Sequence, residues 1–339
     1  MEINKRILYI GNNLSSNTKY TTTMDTLSSL LMKENYSIIK SSNKLNKVLR
    51  LLDMCMSVIR NSKKIDYILI DTFSTSNFYY AFLTSQLARF FKIKYIPILH
   101  GGNLPSRLDR SKNLSNLIFK NSYLNIAPSN YLKNEFSKRG FETKFVPNIL
   151  EIEKYKFKKR EKLKPTIIWV RAFKELYNPT MAIDVLYLLK KEFSEVKLCM
   201  VGPIKDESFE KAKEQAKKYN LLESIEFTGV LPKEIWHKLS ENYDMLINTT
   251  NFDNTPVSVM EAMALGLTVI STNAGGMPYL IDHKVDGILV EKSDSKKMAK
   301  EIIDLLQSNN NKLAVKARRK AEAFGWEAVK PQWNSILNN

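Results

Sequence analysis

The stretch Asn251-Phe252-Asp253-Asn254-Thr255-Pro256-Val257-Ser258-Val259-Met260-Glu261-Ala262-Met263-Ala264-Leu265-Gly266 decides how this chain is read. Before it, Asp244-Met245-Leu246-Ile247-Asn248 reads as a short buried strand, and after it Leu267-Thr268-Val269-Ile270-Ser271 reads as a second. Between the two the chain has to turn, start a helix and end it. Thr255 is the expected N-cap, Pro256 fits the first helical position, where its missing N–H costs nothing, and Gly266 is a natural stop. The free N–H groups near 256–258 would then lie at a helix start beyond the carboxyl end of a strand. That arrangement binds anions and suits phosphate.

Two acids frame this turn. Asp253 lies just before the helix and Glu261 lies inside it, with seven residues between them. A carboxylate in a helix that is otherwise small and apolar (Val257, Met260, Ala262, Met263, Ala264) either faces solvent or holds a polar partner. Taken alone, Glu261 reads as the exposed side of an ordinary βαβ helix. It is not alone. The stretch resembles the donor-binding segment of retaining glycosyltransferases of family 4: an acid, seven residues, a glutamate, then a small-residue helix. Pro256, Glu261, Ala262, Ala264 and Gly266 fall on that pattern, and so does the following loop Ala274-Gly275-Gly276-Met277-Pro278. There are two departures. The family's first acid is normally Glu and here is Asp253, one methylene shorter; the acid that often follows the Gly-Gly-x-Pro loop is here Tyr279.

Working upstream, Thr166-Ile167-Ile168-Trp169-Val170 reads as a strand that ends on Arg171. A departing diphosphate needs cationic or N–H stabilisation, and an arginine supplies a fork of donors. The resemblance implies an arginine followed by a lysine here. Arg171 matches, but the lysine's expected place falls near Leu176-Tyr177, ahead of a helix started by Asn178-Pro179, and leaves Lys174 as the substitute. Lys197-Leu198-Cys199-Met200-Val201-Gly202-Pro203 is a strand and turn, and a Lys/Glu-rich solvated helix follows over 208–219. Ile225-Glu226-Phe227-Thr228-Gly229-Val230-Leu231 resembles the family's strand beside the nucleotide base. Gly287-Ile288-Leu289-Val290 reads as the last strand, with helices near 295–307 and 310–323. The tail, Phe324 to Trp333, resembles the family's C-terminal helix, which crosses back onto the first domain.

In the first half, Arg6-Ile7-Leu8-Tyr9-Ile10 followed by Gly11-Asn12-Asn13 is a strand and glycine loop, the opening of many doubly wound domains. A helix is expected from about Thr22 to Lys33. Ser42 to Asn61 sets Leu45, Val48, Leu49, Leu52, Met56 and Ile59 on one helical face, which core packing explains; a helix lying on a membrane would need that stripe exposed. Tyr67-Ile68-Leu69-Ile70-Asp71 is a buried strand, a helix follows over about 77–91, and Lys94 to Leu99 is another strand. That strand runs into His100-Gly101-Gly102. A histidine at a strand's carboxyl end, with glycines that let backbone approach closely, is placed for a ligand. The family resemblance implies that its imidazole contacts the donor sugar. Leu104 to Lys120, with Arg107, Arg110 and Lys112, is a basic acceptor-side or membrane-side segment. The strand-like runs Leu124 to Ser129 and Lys144 to Asn148 resemble the close of the family's first domain.

Composition sets outer bounds. At 339 residues, 44% hydrophobic and 26% charged, the chain suits two globular domains. No apolar run is long enough for a spanning helix, and the N-terminus runs into a strand and not an apolar signal region. The cysteines, Cys55 and Cys199, read as buried free thiols of a reducing compartment, and three histidines without ligand spacing argue against structural zinc. The net charge of +17 is uneven. Residues 1–164 hold 29 Lys and Arg against 12 Asp and Glu, and residues 165–339 hold 23 of each. Surface solubility is one reading; the sharper one is that this half faces something anionic, and with nothing resembling a nucleic-acid module the preferred partner is a membrane surface.

Strands alternating with helices in both halves call for parallel sheets. The expected fold is α/β, of GT-B type: two Rossmann-like doubly wound parallel-sheet domains facing a central cleft. The expected boundaries are an acceptor-side domain over 1–155, a linker over 156–164, a nucleotide-sugar domain over 165–323, and a returning helix over 324–339. The resemblance implies a retaining transferase using a nucleoside diphosphate sugar and a glycan or lipid-linked acceptor, with no cofactor; with no Asp-x-Asp pair in the sequence, no obligatory metal is expected. The expected location is the cytoplasm, with the inner face of the membrane as a peripheral contact. It implies catalytic roles for His100, Arg171, Asp253 and Glu261. Donor contacts would come from Gly11, Gly101, Lys174, Gly202, Leu231, Asn254, Thr255, Pro256, Val257 and Ser258. A sugar-nucleotide epimerase of the same architecture, and a degenerate transferase acting as a binding partner, stand as alternatives.

Overall fold

The computed structural model describes residues 5–13, 22–308 and 312–338. The chain divides into two compact units, Met1–Ile149 with Trp326–Asn339, and Leu150–Gly325.

The first unit is a parallel sheet of β1 (Arg6–Ile10), β2 (Ser37–Ser41), β3 (Tyr67–Thr72), β4 (Lys94–Leu99), β5 (Asn125–Ala127) and β6 (Thr143–Phe145), in the order β2-β1-β3-β4-β5-β6. The apolar runs become strands because both faces are covered, so Ile7, Leu8, Ile68, Leu69, Ile70 and Ile96 are all fully buried. The crossovers are α1 (Thr23–Lys33), α2 (Lys47–Asn61), α3 (Asn77–Phe90), the pair α4 (Leu104–Arg110) and α5 (Lys112–Phe119), and α6 (Asn130–Ser137). The basic segment after His100 is thus two short helices, broken at Ser111. Thr22 and Asp25 close a reciprocal capping box at the start of α1. Strand order reverses between β1 and β3, which puts the loops after these two strands at a switch point, with the loop after β4 beside that of β3.

The second unit repeats the plan with β7 (Thr166–Val170), β8 (Lys197–Val201), β9 (Ile225–Gly229), β10 (Met245–Asn248), β11 (Thr268–Thr272) and β12 (Ile288–Val290), ordered β12-β11-β10-β7-β8-β9. Its helices are α7 (Pro179–Lys190), α8 (Ser208–Lys218), α9 (Lys233–Leu239), α10 (Val257–Leu265), α11 (Met277–Leu280), α12 (Ser295–Ser308) and α13 (Lys312–Glu322). The Asn178-Pro179 start of α7 is formed as expected, with the Asn178 side chain accepting from the Met181 N–H. The last helix, α14 (Trp326–Leu337), belongs to the first unit, where Trp326, Val329, Trp333 and Ile336 join the cluster built on Ile7, Tyr9 and Leu31.

Two stretches differ from expectation. The linker expected over 156–164 is laid into the second unit, where Arg160 and Leu163 are buried, and so is Tyr155, which was expected to close the first domain. Arg160 donates to the carbonyls of Tyr243, Ser240 and Leu265 and pairs with Asp244, so its charge is fully used in binding this run to the unit. The apolar stripe assigned to the core is on the outside. Arg50, Met54 and Val58 form the buried face of α2, while Leu45, Val48, Leu49, Leu52, Met56 and Ile59 are exposed. The helix has two faces of similar periodicity, and only one can pack on the sheet. Cys55, on the same helix, is half-buried and Cys199 is buried; both are free. Among the described residues no helix is long and apolar enough to cross a membrane.

Candidate functional site

In the second sheet the strand order reverses between β7 and β10, and the two loops that leave their carboxyl ends meet there. Arg171 follows β7. Its N–H donates to the Val201 carbonyl at 3.0 Å, its guanidinium lies 4.2 Å over the Tyr177 ring, and it forms an ion pair with Asp253. Burial lowers the guanidinium pKa, opposed by the Tyr177 hydroxyl. Its Nε is buried without a hydrogen-bond partner, a donor left unused inside the site.

Asp253 sits in the loop after β10, where Oδ1 accepts from the Asn254 N–H at 2.7 Å. The Gly-Gly loop holds this turn from behind: the Gly276 N–H donates to the Asp253 carbonyl at 2.8 Å. A Cβ on Gly276 would fall 1.7 Å from the Asn254 carbonyl oxygen, so only glycine admits this approach. Gly202 acts likewise on Arg171, whose carbonyl oxygen would lie 1.7 Å from an added Cβ.

The start of α10 departs from the expected capping. Pro256 is extended, with ψ 120°, so it occupies the cap position itself, the helix begins at Val257, and Thr255 is not its N-cap. No side chain caps the helix. The Val259 and Met260 N–H groups both turn back to the Pro256 carbonyl, and the Ser258 hydroxyl is buried without a partner. An uncapped helix start with the Ser258 hydroxyl buried at it remains an anion site. Asn254 is buried beside it and Thr255 is half-buried.

Glu261 lies on the inner side of α10 and is 3% exposed, so the exposed-face reading of this residue is wrong. Its Oε1 accepts from the Tyr155 hydroxyl at 3.0 Å and pairs with the Lys233 ammonium at 2.8 Å. The His237 Nε2 lies 3.9 Å from Oε2. Burial alone would raise the carboxyl pKa, but His237 and Lys233 outweigh it and hold it below its ordinary range. The same burial and the adjacent carboxylate push the Tyr155 hydroxyl well up, so it stays a proton donor to Glu261.

In the first unit His100 is buried, with Nε2 2.8 Å from Asp71 Oδ1 and its ring stacked on Phe73 at 4.9 Å. A carboxylate can only accept, so Nε2 carries hydrogen and Nδ1 is left as the ring's acceptor when the imidazole is neutral. Asp71 Oδ1 also accepts from the Tyr9 hydroxyl at 3.0 Å. Gly11 borders the same carboxylate: an added Cβ would lie 2.6 Å from Asp71 Oδ2. Gly101 makes the turn after His100 with φ +85°.

The structure thus joins Arg171, Asp253 and Gly202 at one switch point, with residues 254–258 and Glu261 on the loop and helix that follow. At the other, His100 and Gly11 meet Asp71, and Gly101 turns the chain just after His100. Lys174 is exposed, and its charge acts on Asp206. Leu231 packs half-buried against the cluster that includes Trp236 and Val259. Sequence reasoning did not find Asp71, Tyr9, Tyr155, Lys233 or His237. An acid ending the apolar run Tyr67-Ile68-Leu69-Ile70 was a usable signal for Asp71, and Lys233 with His237 at i, i+4 was one for a polar helix face.

Solved structures identify the fold. Alr3699/HepE of Anabaena in complex with UDP superposes with a TM-score of 0.76 at 17% identity, over 98% of this chain and 99% of that one. Sucrose-phosphate synthase of Thermosynechococcus elongatus gives 0.78 at 13% identity, over 98% of each. At such identities the likeness establishes the fold, which is the GT-B fold of glycosyltransferases. The chain belongs to the group 1 glycosyl transferases, whose family model matches residues 151–324. Among curated relatives, an uncharacterised glycosyltransferase of Haemophilus influenzae is 29% identical over 46% of this chain and 44% of its own length. The amylovoran biosynthesis glycosyltransferase AmsK of Erwinia amylovora is 24% identical over 68% of this chain and 60% of its own length. The chain therefore matches about half the length of these two relatives.

Proposed function

We propose that this chain transfers a glycosyl group, with retention and without a metal, from a nucleoside diphosphate sugar to a glycan or lipid-linked acceptor in surface polysaccharide assembly. The observation that carries this reading is the pairing of Arg171 with Asp253 beside the uncapped start of α10. Arg171 has an unused buried Nε and Ser258 an unused buried hydroxyl, both donors suited to phosphate oxygens. Glu261, ionised by its neighbours, accepts from ribose hydroxyls. Asp253 accepts from hydroxyls of the donor sugar; in the first unit, His100 keeps Nδ1 as an acceptor for a substrate hydroxyl.

In this reading the sugar C1–O bond to the diphosphate breaks as the acceptor hydroxyl attacks from the same face. The leaving phosphate oxygen takes the hydroxyl proton, so no enzyme nucleophile is needed. Arg171 and the N–H groups of 257–258 stabilise the charge that builds on the diphosphate, a contribution of about 10²- to 10³-fold in rate for one such donor. UDP is the first nucleotide to test, because Alr3699/HepE was crystallised with UDP and UDP-glucose. The polysaccharide setting is suggested by the name of AmsK.

The test is a calorimetric panel of UDP, GDP, ADP and CMP, each with and without chelator, on wild type and Glu261→Ala. One diphosphate that binds in chelator, and binds Glu261→Ala weakly, supports the proposal. No binding to wild type, or binding unchanged by Glu261→Ala, would overturn the donor-site assignment.

A further inference from the structure

We propose that the outer face of α2 is a docking surface for an anionic lipid bilayer. Leu45, Val48, Leu49, Leu52, Met56 and Ile59 are each between 43% and 69% exposed. At 100° per residue the five within the helix fall on an arc of roughly 100°, while Arg50, Met54 and Val58 face the unit's core. A continuous apolar stripe of this kind on one helix marks an interaction surface, not scattered surface hydrophobics.

Charge identifies the occupant. Lys44, Lys47, Arg60, Lys63 and Lys64 are exposed along and beyond the stripe, and the one acid within residues 44–64 is Asp53. An apolar arc with a basic border suits an interface where acyl chains and anionic headgroups lie side by side. A second copy fits less well, because two-fold pairing of this face would set its lysines against one another.

The surface is held rigidly at its leading end. Arg50 donates from Nε to the Lys44 carbonyl at 2.7 Å and from one terminal nitrogen to the Leu45 carbonyl at 2.9 Å, so Leu45 is presented by a fixed turn. The other terminal nitrogen donates to Asn12 Oδ1 at 2.9 Å. Asn12 follows Gly11, which abuts the Asp71 carboxylate that holds His100. Within the first unit, the start of α2 and the His100 loop therefore share the carboxyl end of the sheet. A bilayer under α2 would bring a lipid-anchored acceptor to that end, a consequence that rests on the transfer reading; the docking itself does not.

The experiment is co-sedimentation of the full chain with vesicles of phosphatidylcholine alone, or with roughly 30% phosphatidylglycerol. The chain is expected to sediment with the anionic vesicles only, and to be released as salt rises toward about 0.5 M, where charge screening is short-ranged. Leu49→Gln with Leu52→Gln, and separately Lys44→Ser with Lys47→Ser, should each weaken partitioning about tenfold. Ile204→Gln, an exposed apolar residue of the second unit, should change nothing. These positions are exposed, so folding is preserved, and UDP calorimetry on the same variants reports separately on the donor site. Absence of vesicle binding by wild type, or equal binding by the Leu pair, overturns the proposal. A dimer that Leu52→Glu dissociates, without vesicle binding, assigns the face to a second copy.

Discussion

Arg171 and Asp253 form an ion pair across the point where the second sheet reverses its strand order. The pair holds a cation ready at the site while neutralising it in the free protein. A diphosphate would compete with Asp253 for the guanidinium, so the two residues should respond differently to substitution. Asp253→Asn removes the competing charge: nucleoside diphosphate affinity is expected to hold or rise, while kcat falls about 10²-fold or more. Arg171→Ala should lower both. Calorimetry with the matched nucleotide and steady-state transfer rates separate the outcomes, and equal losses of affinity in both variants would remove Asp253 from its assigned role.

Glu261 carries a pH signature. Its folded carboxyl sits below its ordinary value of 4.5, burial being outweighed by His237 and Lys233. A carboxyl with a depressed folded pKa binds protons more readily in the unfolded chain. It therefore contributes stability above that ordinary value and loses it as pH falls through the folded pKa. Glu261→Gln should melt with a shallower dependence on pH below 4.5 than wild type, and should bind the nucleotide about tenfold more weakly at pH 7. Thermal melts between about pH 3 and pH 6, paired with calorimetry, check both halves.

The alternation of apolar runs with helical periods was enough to place the parallel strands, because buried parallel strands leave continuous Ile, Leu and Val runs such as Ile68-Leu69-Ile70. Arg171 and Asp253 were placed by local pattern, one just after β7 and one in the loop ahead of α10, and Glu261, inside α10, by its spacing from Asp253. Tyr155, Lys233 and His237 were not, because they reach Glu261 only by packing of α9 and the 155–164 run onto α10. Tyr155 is 106 residues away in sequence, at the edge of the expected linker and on the side assigned to the other domain. The α2 stripe failed differently. Periodicity reports that a face is apolar, and burial of the opposite face around Arg50, Met54 and Val58 had to be seen before the stripe could be placed outside.

The Gly-Gly loop provides a stability test that also reads on the site. Gly276→Ala would set a Cβ 1.7 Å from the Asn254 carbonyl oxygen, which is backbone and cannot rotate aside. A loss of about 3 kcal/mol is expected, with weakened nucleotide binding because the turn of 253–254 must shift. Gly229→Ala is the matched control: its Cβ would meet nothing within 4 Å, and only the backbone cost of φ +68° applies, about 1 kcal/mol. Urea titrations of the two variants give the comparison, and equal losses would mean that the close approach does not constrain the loop.

His100 depends on Asp71 for its orientation, and Asp71 is placed by Tyr9 and by the space that Gly11 leaves. Asp71→Asn keeps the shape but can present an N–H to Nε2, which favours the tautomer with Nδ1 protonated and removes the acceptor offered to substrate. We expect kcat to fall by about 10- to 10²-fold with little change in the affinity for free nucleotide, since the nucleotide contacts are assigned to the second unit. Tyr9→Phe removes one hydrogen bond to the same carboxylate and should cost less. His100→Gln, which retains an acceptor, should recover part of what His100→Ala loses. Transfer rates across pH for the four variants, with nucleotide affinity measured alongside, decide it: an Asp71→Asn enzyme with wild-type kcat would show that this carboxylate only stabilises the first unit.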